Sequence, residues 1–434
     1  MTTERAPRLM GFWMCAALVV GNLIGSGIFL LPASLAALGR NAVSGWIISA
    51  CGAMALALVF ARLSRAHPVA GGPYAFTRLA FGEFPALVVA WGYWVSVWVG
   101  NAAIAAGAVA YLSMLIPWVG RTQATSAAAT LGAVWLFTYL NCLGVRTMGK
   151  IQVVTTVMKL LPLAAMGLLA LIFLPGHARP MAPAPLTWGA TGTATILTLW
   201  AMIGLESATI PADRIRDPRR NVPRATLIAT GLTALVCALA CTVVMVLVPA
   251  GSLAVSNAPF ADAARILWGG RAATLITVFA AVSGFGALNG WIFLQGELPR
   301  TMAREGVFPA IFARESRRQV PVLGHVITSG LVTVLVLLNF HQSLVDIFTF
   351  MVLLATTTTL VAYLVCSLAV LQLLRRRAMG EGNTDLPWLA PVGVLGAAYS
   401  LWAIAGAGPR AVLWGFALLL LAVPIWFGMR RVST

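Results

Sequence analysis

The chain has 434 residues, of which 60% are apolar and only 9% charged, and its mean hydropathy is +0.91. So little charge over so long a chain excludes a soluble globular protein and points to a polytopic membrane protein. The formal net charge of +17 would suit a nucleic-acid binder, but its distribution along the chain excludes that reading too.

Apolar stretches recur at about 11–38, 43–65, 84–113, 124–143, 151–174, 190–212, 224–249, 270–303, 321–339, 344–374, 387–407 and 410–428, joined by short segments rich in Arg, Pro and Gly. They predict twelve membrane helices in one unit over 1–434, with no room for an extramembrane domain. The joint near 250–269 predicts a short amphipathic helix at the outer surface. Met1–Arg8 carries no small-residue cleavage site, so the first helix is expected to remain in the mature protein. Of the 29 basic residues, all but Arg40, Arg121, Arg179, Arg265, Arg271, Arg410 and Lys159 fall at the two ends or in the even-numbered joints. Positive residues are retained on the cytoplasmic side, so both termini are expected there and the basic excess is an orientation signal. The arginines between 214 and 224, and Arg375–Arg377, read most simply as cytoplasmic anchors beside anionic lipid headgroups.

The first stretch is interrupted by Gly21-Asn22-Leu23-Ile24-Gly25-Ser26-Gly27-Ile28-Phe29. A helix that must satisfy its own backbone in lipid does not carry such a run unless the break lies in protein or lines a wet cavity. In the fifth stretch Lys159 lies about 12 Å along the helix from Ile151, at about 1.5 Å per residue. That is long for snorkelling to the surface, so it is expected to point into the bundle. The sixth stretch reads Leu199-Trp200-Ala201-Met202-Ile203-Gly204-Leu205-Glu206-Ser207-Ala208. An acid there costs about 2.5–3.5 kcal/mol on insertion scales, so Glu206 either faces a cavity or caps freed backbone. Glu297, late in the eighth stretch, is a partner for Lys159 or a cytoplasmic gate acid. The six cysteines (Cys15, Cys51, Cys142, Cys237, Cys241, Cys366) lie in apolar stretches without CxxC spacing, and read as free thiols buried in lipid. The four histidines are scattered near helix ends. No catalytic or metal-binding constellation appears, so no enzyme and no cofactor is expected.

The two interruptions echo each other. Pro32 follows Gly25 by seven residues, and Pro211 follows Gly204 by seven, each glycine being preceded by Ile. Matched breaks in the first and sixth spans fit a five-plus-five repeat, with repeat one about 11–174, repeat two about 190–374 and two extra helices about 387–428. The breaks would then meet near the midplane, offering free N–H groups to a carboxylate and free C=O groups to an amine.

Eight segments in order, namely Gly21–Pro32, Gly71-Gly72-Pro73-Tyr74, Tyr93–Asn101, Trp200–Ser207, Asp217–Pro223, Ala258–Arg265, Gly290-Trp291 and Gly306–Pro309, resemble the amino acid–polyamine–organocation transporters. Within that family the chain looks most like the bacterial basic amino acid and polyamine antiporters. The resemblance implies an all-α integral membrane fold of inverted repeats, often homodimeric, in the bacterial inner membrane. It also implies residue roles. Gly25, Ser26 and Gly27 would offer amides and a hydroxyl to a substrate carboxylate, with Asn22 beside them. Trp200 would be a middle gate and Trp291 a cation–π platform worth about 2 kcal/mol when desolvated. Ile203 would pack on the aliphatic stem, and Ser207 or the Ile203 backbone would meet the amine. Asn101 would bond a cationic side chain, or else only a neighbouring helix. Tyr74 and Tyr93 would be gate residues or interface aromatics, and Glu206 would link proton sensing, occupancy and gating.

Three positions depart from the arginine/agmatine pattern. Ala355, followed by Thr356 to Thr359, replaces a pocket serine, and Ile104 replaces a methionine. Lys159 is similar to proton-coupled and exchange-type members, whose ammonium takes the place of a sodium ion, which implies sodium independence. The expectation is a secondary transporter of a small amino acid or amine, most simply a basic amino acid/amine antiporter of the arginine/agmatine or ornithine/putrescine kind. The alternative is a proton-coupled symporter or exchanger of neutral amino acids. Lipids are the expected surroundings, nucleic acid is not a partner, and a channel would need a continuous polar lining.

Overall fold

The computed structural model describes residues 9–25, 27–169, 172, 179–256, 258–338, 344–378, 389–406, 409–424 and 426–427. Among these the chain is helical without strands, apart from one parallel bridge between Met10 and Ile215. The helices are α1 (Phe12–Leu23), α2 (Leu31–Leu35), α3 (Asn41–Ala66), α4 (Pro73–Phe81), α5 (Glu83–Leu115), α6 (Gln123–Cys142), α7 (Val145–Ala164) and α8 (Trp188–Leu199). The second half adds α9 (Pro218–Leu247), α10 (Ala250–Ala254), α11 (Pro259–Trp268), α12 (Gly270–Arg304), α13 (Val322–Leu338), α14 (Leu344–Ala378), α15 (Ala390–Gly406) and α16 (Pro409–Leu420). Among the described residues, seven helical segments are long and apolar enough to cross a membrane, and four shorter apolar helices accompany them.

Two sets of helices carry the packing. In one, α3 lies against α9 and α8, and α1 lies along α9. In the other, α5 is sandwiched between α12 and α14, with α7 and α13 also packed against α12. Helix α5 is apolar all round, as a helix enclosed by others must be. Without a hydrophobic drive between helices in lipid, close approach of small residues supplies the contact. Gly45 on α3 shows this: a Cβ there would stand 2.7 Å from the Ala194 Cβ of α8 and 2.9 Å from the Thr195 nitrogen. One turn on, Ser49 Oγ donates to Thr195 O at 2.9 Å and lies 2.6 Å from Thr198 Oγ1. Large apolar side chains such as Trp13, Tyr139, Leu401 and Trp414 stand exposed on the outside, where lipid belongs.

Local chemistry explains several irregularities. Pro162 sits near the end of α7 and removes one backbone donor; the chain continues as a π-helical turn over Ala165–Leu169. The joint 250–269 holds two short helices rather than one, and α11 buries Phe260, Ala261, Ala263 and Ala264 while pairing Asp262 with Arg265 at 2.9 Å. Helix α4 is an addition the apolar pattern does not announce. Gly72 precedes it at φ +51°, where a Cβ would lie 2.6 Å from Thr209 Oγ1, and Pro73 then starts the helix.

Arg214 corrects the reading of the basic joint as a headgroup anchor. Its side chain is fully buried: Nε bonds Glu297 at 3.0 Å and Nη2 bonds Glu315 at 2.8 Å. Arg300 completes the cluster, 2.6 Å from Glu297 and 2.9 Å from Asp213. The thiols also differ in detail. Among the described residues all six cysteines are free, but Cys15, Cys237, Cys241 and Cys366 are buried inside the protein, not in lipid.

We expect Gly45→Val to push α3 and α8 apart and destabilise the protein by about 1–3 kcal/mol, the usual cost of overpacking. Thermal unfolding in detergent would read this, and Gly132→Ala on α6, which meets nothing within 4 Å, should leave the midpoint nearly unchanged.

Candidate functional site

Both interruptions are real, and both fall on the isoleucine of the Ile-Gly pair. Helix α1 ends at Leu23, and Ile24 is extended at φ −92°, ψ 94°. After α8, a 3-10 turn over Trp200–Met202 gives way to an extended Ile203 at φ −78°, ψ 129°. Gly204 follows at φ +114°, which side-chain-bearing residues rarely adopt; a Cβ there would also come within 3.0 Å of Trp291 and 3.2 Å of Asn22. The two breaks touch. Asn22 Nδ2 donates to Ser207 Oγ at 2.9 Å, so the first break is tied to the second.

The freed carbonyls of the first break are already occupied, which differs from the expectation that they await a substrate amine. Lys159 Nζ donates to Gly21 O at 2.9 Å and to Ile24 O at 2.6 Å. Trp291 Nε1 donates to Asn22 O at 3.1 Å, and Ser283 Oγ reaches Gly25 O at 3.5 Å. Lys159 is fully buried, so the snorkelling reading fails and the inward-pointing one holds. Its partners are backbone carbonyls; Glu297 is not among them, because Arg214 and Arg300 hold that carboxylate.

Glu206 is fully buried in the second break. Its carboxylate accepts hydrogen bonds from the hydroxyls of Tyr93 on α5 and Tyr363 on α14, one to each oxygen. Tyr363 also accepts from Gly204 N–H at 3.0 Å, so one phenol serves both the acid and the unwound backbone. The Glu206 carbonyl accepts from Thr209 N and Oγ1 at 2.8 and 2.7 Å.

Between the breaks lies a small cavity of about 30 Å³. Asn22, Leu23, Gly25 and Gly27 come from the first break, Trp200 and Ile203 from the second, Trp291 from α12, and Ser96, Val97, Gly100, Ile104, Ala355 and Thr359 from α5 and α14. Thus Asn22, Gly25, Gly27, Trp200, Ile203, Trp291 and Ala355 come together as the sequence suggests, and Ile104 joins them. No charged side chain is among these lining residues. Ser26 lies outside the described residues. Ser207 is buried behind Asn22.

Asn101 does not line the cavity. The α5 residues that do are 96, 97, 100 and 104, and Asn101 is turned about 100° from Gly100 at 3.6 residues per turn. Its Nδ2 donates to Gln295 Oε1 on α12 at 2.7 Å, which is the neighbouring-helix alternative. Tyr74 is likewise buried in α4 outside the cavity wall, its hydroxyl without a hydrogen-bond partner among the described residues. Sequence reasoning missed Tyr363, Thr359 and Ser96. A signal existed: Ala355, Thr359 and Tyr363 are spaced four apart, and so are Tyr93, Val97 and Asn101, so each series follows one helix face before neighbours choose which members look inward.

Removing the lysine or the second tyrosine strands buried polar groups, each costing about 1–3 kcal/mol. Lys159→Met, which leaves Gly21 O and Ile24 O without their donor, is expected to lower the unfolding midpoint and cripple turnover. Tyr363→Phe, which strands Gly204 N–H and one Glu206 oxygen, should do so more mildly; scanning fluorimetry and exchange assays on the same preparations would check both.

A sequence profile described as amino acid permease matches residues 10–427. The cadaverine/lysine antiporter of Escherichia coli strain K12 is 34% identical over 340 residues, covering 76% of this chain and 74% of that protein. The putrescine transporter PotE of Haemophilus influenzae is 31% identical over 409 residues, covering 94% of this chain and 93% of that protein. The putrescine transporter PotE of Escherichia coli strain K12 is 30% identical over 416 residues, covering 94% and 92%.

Proposed function

This chain belongs to the amino acid permease family of the amino acid–polyamine–organocation superfamily, and from that premise we propose that it is a basic amino acid/amine antiporter working by alternating access. Relatives named for cadaverine/lysine exchange and for putrescine transport set the substrate class: small aliphatic amines and the basic amino acids they derive from. The protein is a multi-pass protein of the bacterial membrane. We assign it twelve spans in a single unit, with α1 to α7 and α8 to α14 as the two repeats and α15 and α16 appended. By the basic joints, both termini lie in the cytoplasm.

The cavity wall carries this reading. An ammonium needs a desolvated surface that attracts cations without binding them irreversibly, and Trp200 and Trp291 provide two aromatic walls. Ile104 and Ile203 offer apolar contact for the methylene stem. Ser96 Oγ spends its proton on Tyr93 O at 2.6 Å, which leaves its lone pairs for an N–H donor. Glu206 stands one layer behind, its charge held between two phenols. Such an acid compensates a cationic substrate at a distance and can trade a proton for it. Gly25 and Gly27, on the cavity wall, offer backbone to the carboxylate of the amino-acid partner. A diamine and an amino acid can then share one site, as exchange requires. Lys159, engaged with the break's carbonyls, acts as an internal cation that makes sodium unnecessary.

Proteoliposome counterflow tests this. Vesicles loaded with cadaverine or putrescine should take up labelled lysine, arginine or ornithine, empty vesicles should not, and neutral amino acids should fail to compete. Saturable uptake of neutral amino acids into empty vesicles, driven by a proton gradient, would contradict the proposal. Glu206→Gln is expected to flatten the pH dependence of exchange with the protein still folded; an unchanged pH profile would remove Glu206 from the coupling.

A further inference from the structure

Where the chain enters α9, an open groove of about 510 Å³ lies between that helix and the start of α1. Asp217, Arg220, Asn221, Arg224 and Ile228 form one wall, and Phe12 forms the other. The groove shares no residue with the transport cavity. Its positive charge is uncompensated. Arg214, earlier in the same joint, is buried among carboxylates. Arg220 and Arg224 are exposed instead, and neither guanidinium has a hydrogen-bond or ion-pair partner among the described residues. Asp217 stands on the same wall without pairing to either, so two positive charges face one negative.

We propose that this groove binds one anionic phospholipid of the cytoplasmic leaflet, with its phosphate on Arg220 and Arg224 and an acyl chain running along α9. Placing the groove at that leaflet rests on the orientation read from the basic joints, and is independent of the substrate carried. A spacing of four puts the two arginines on one face of α9, one turn apart. The same strip continues outward through Ile228, Leu232 and Leu235, which are 56%, 40% and 60% exposed. From Arg224 to Leu235 the helix rises about 16 Å, at about 1.5 Å per residue. That matches one leaflet, half of the roughly 30 Å hydrocarbon core. Paired cations followed by a leaflet's length of exposed aliphatic side chains outline a phospholipid; a soluble anion would use only the cations.

The opposite wall fits the same depth. Phe12 meets Trp13 edge to face, with ring centroids 5.2 Å apart, and Trp13 is 77% exposed. Tryptophan favours the headgroup level of a bilayer, so α1 begins where the phosphate would lie. The two walls are tied together. Met10 N donates to Arg214 O at 3.0 Å, and Arg216 N donates to Met10 O at 2.9 Å. Asn221 Nδ2 donates to the Arg216 carbonyl, and Cys15 Sγ lies 3.9 Å from Asn221 O. A groove held in this way keeps one spacing between its arginines and its apolar wall, which is what separates a site from a diffuse positive surface. A lipid bound there bridges α1 to α9 and stabilises the folded protein by mass action.

The test uses the full chain, reconstituted in liposomes of equal phosphatidylglycerol and phosphatidylethanolamine and then extracted in mild detergent. Native mass spectrometry reads the lipid it retains, which is expected to be phosphatidylglycerol in preference. Added back, phosphatidylglycerol should raise the unfolding midpoint more than phosphatidylethanolamine or inorganic phosphate does. Near an anionic surface each arginine contributes about a fivefold preference, so Arg220→Gln with Arg224→Gln should cut retention about 25-fold. Arg224→Gln alone, at about fivefold, serves if the pair does not fold. Ile228→Ser should weaken retention with every charge in place. Arg219→Gln removes the same charge from the same joint, outside the groove lining, and should leave retention nearly unchanged. An equal loss in Arg219→Gln would overturn the site, leaving only a diffuse positive surface. Inorganic phosphate stabilising as well as phosphatidylglycerol, or equal retention of the two phospholipids, would overturn the lipid assignment.

Discussion

The fold of the transport centre depends on one buried ammonium. A helix broken inside a bundle frees carbonyl groups that no water can reach, and each would cost free energy if left alone. Lys159 answers two of them at once, donating to Gly21 O and Ile24 O from the neighbouring α7. Trp291 and Ser283 answer two more from α12. The break is thus stabilised by side chains of the neighbouring helices α7 and α12. The lysine's charge also finds acceptors without an acid, which leaves Glu206 to its two tyrosines.

Charge is used sparingly throughout. The chain has only 12 acidic residues, and four of them stand in buried or partly buried roles in or near the second break: Glu206 between phenols, and Asp213, Glu297 and Glu315 among arginines. Placing ions where two helix sets meet gives contacts that are strong when dry and cheap to part when wet. Apolar packing between α3, α8 and α9, by contrast, changes little on exposure to lipid and is suited to stay fixed.

Much of this was legible in the order of residues. The apolar stretches locate the helices because lipid demands them, and the Ile-Gly pairs mark the breaks because only glycine at 204 can take a positive φ beside Trp291 and Asn22. What could not be read is which way a side chain turns on a helix apolar all round. Asn101 and Gly100 are adjacent in α5, yet only Gly100 meets the cavity, and that choice is made by Gln295 on another helix. Arg214 looked like an anchor because it stands in one joint with the arginines at 216, 219, 220 and 224, and its burial depends on Glu297, more than eighty residues away. Tyr363 is silent in sequence for the same reason: its partners Gly204 and Glu206 lie in another span.

Two interrupted helices enclosing an amine between them is the claim on which the rest stands. A cryo-EM map of the protein in nanodiscs saturated with cadaverine addresses it most directly. The account predicts density for the diamine between Ile203 and Trp291, with non-helical backbone at Ile24 and Ile203 and the Lys159 ammonium still on the carbonyls of the first break. Continuous helices at both places, or the diamine bound elsewhere, would contradict it.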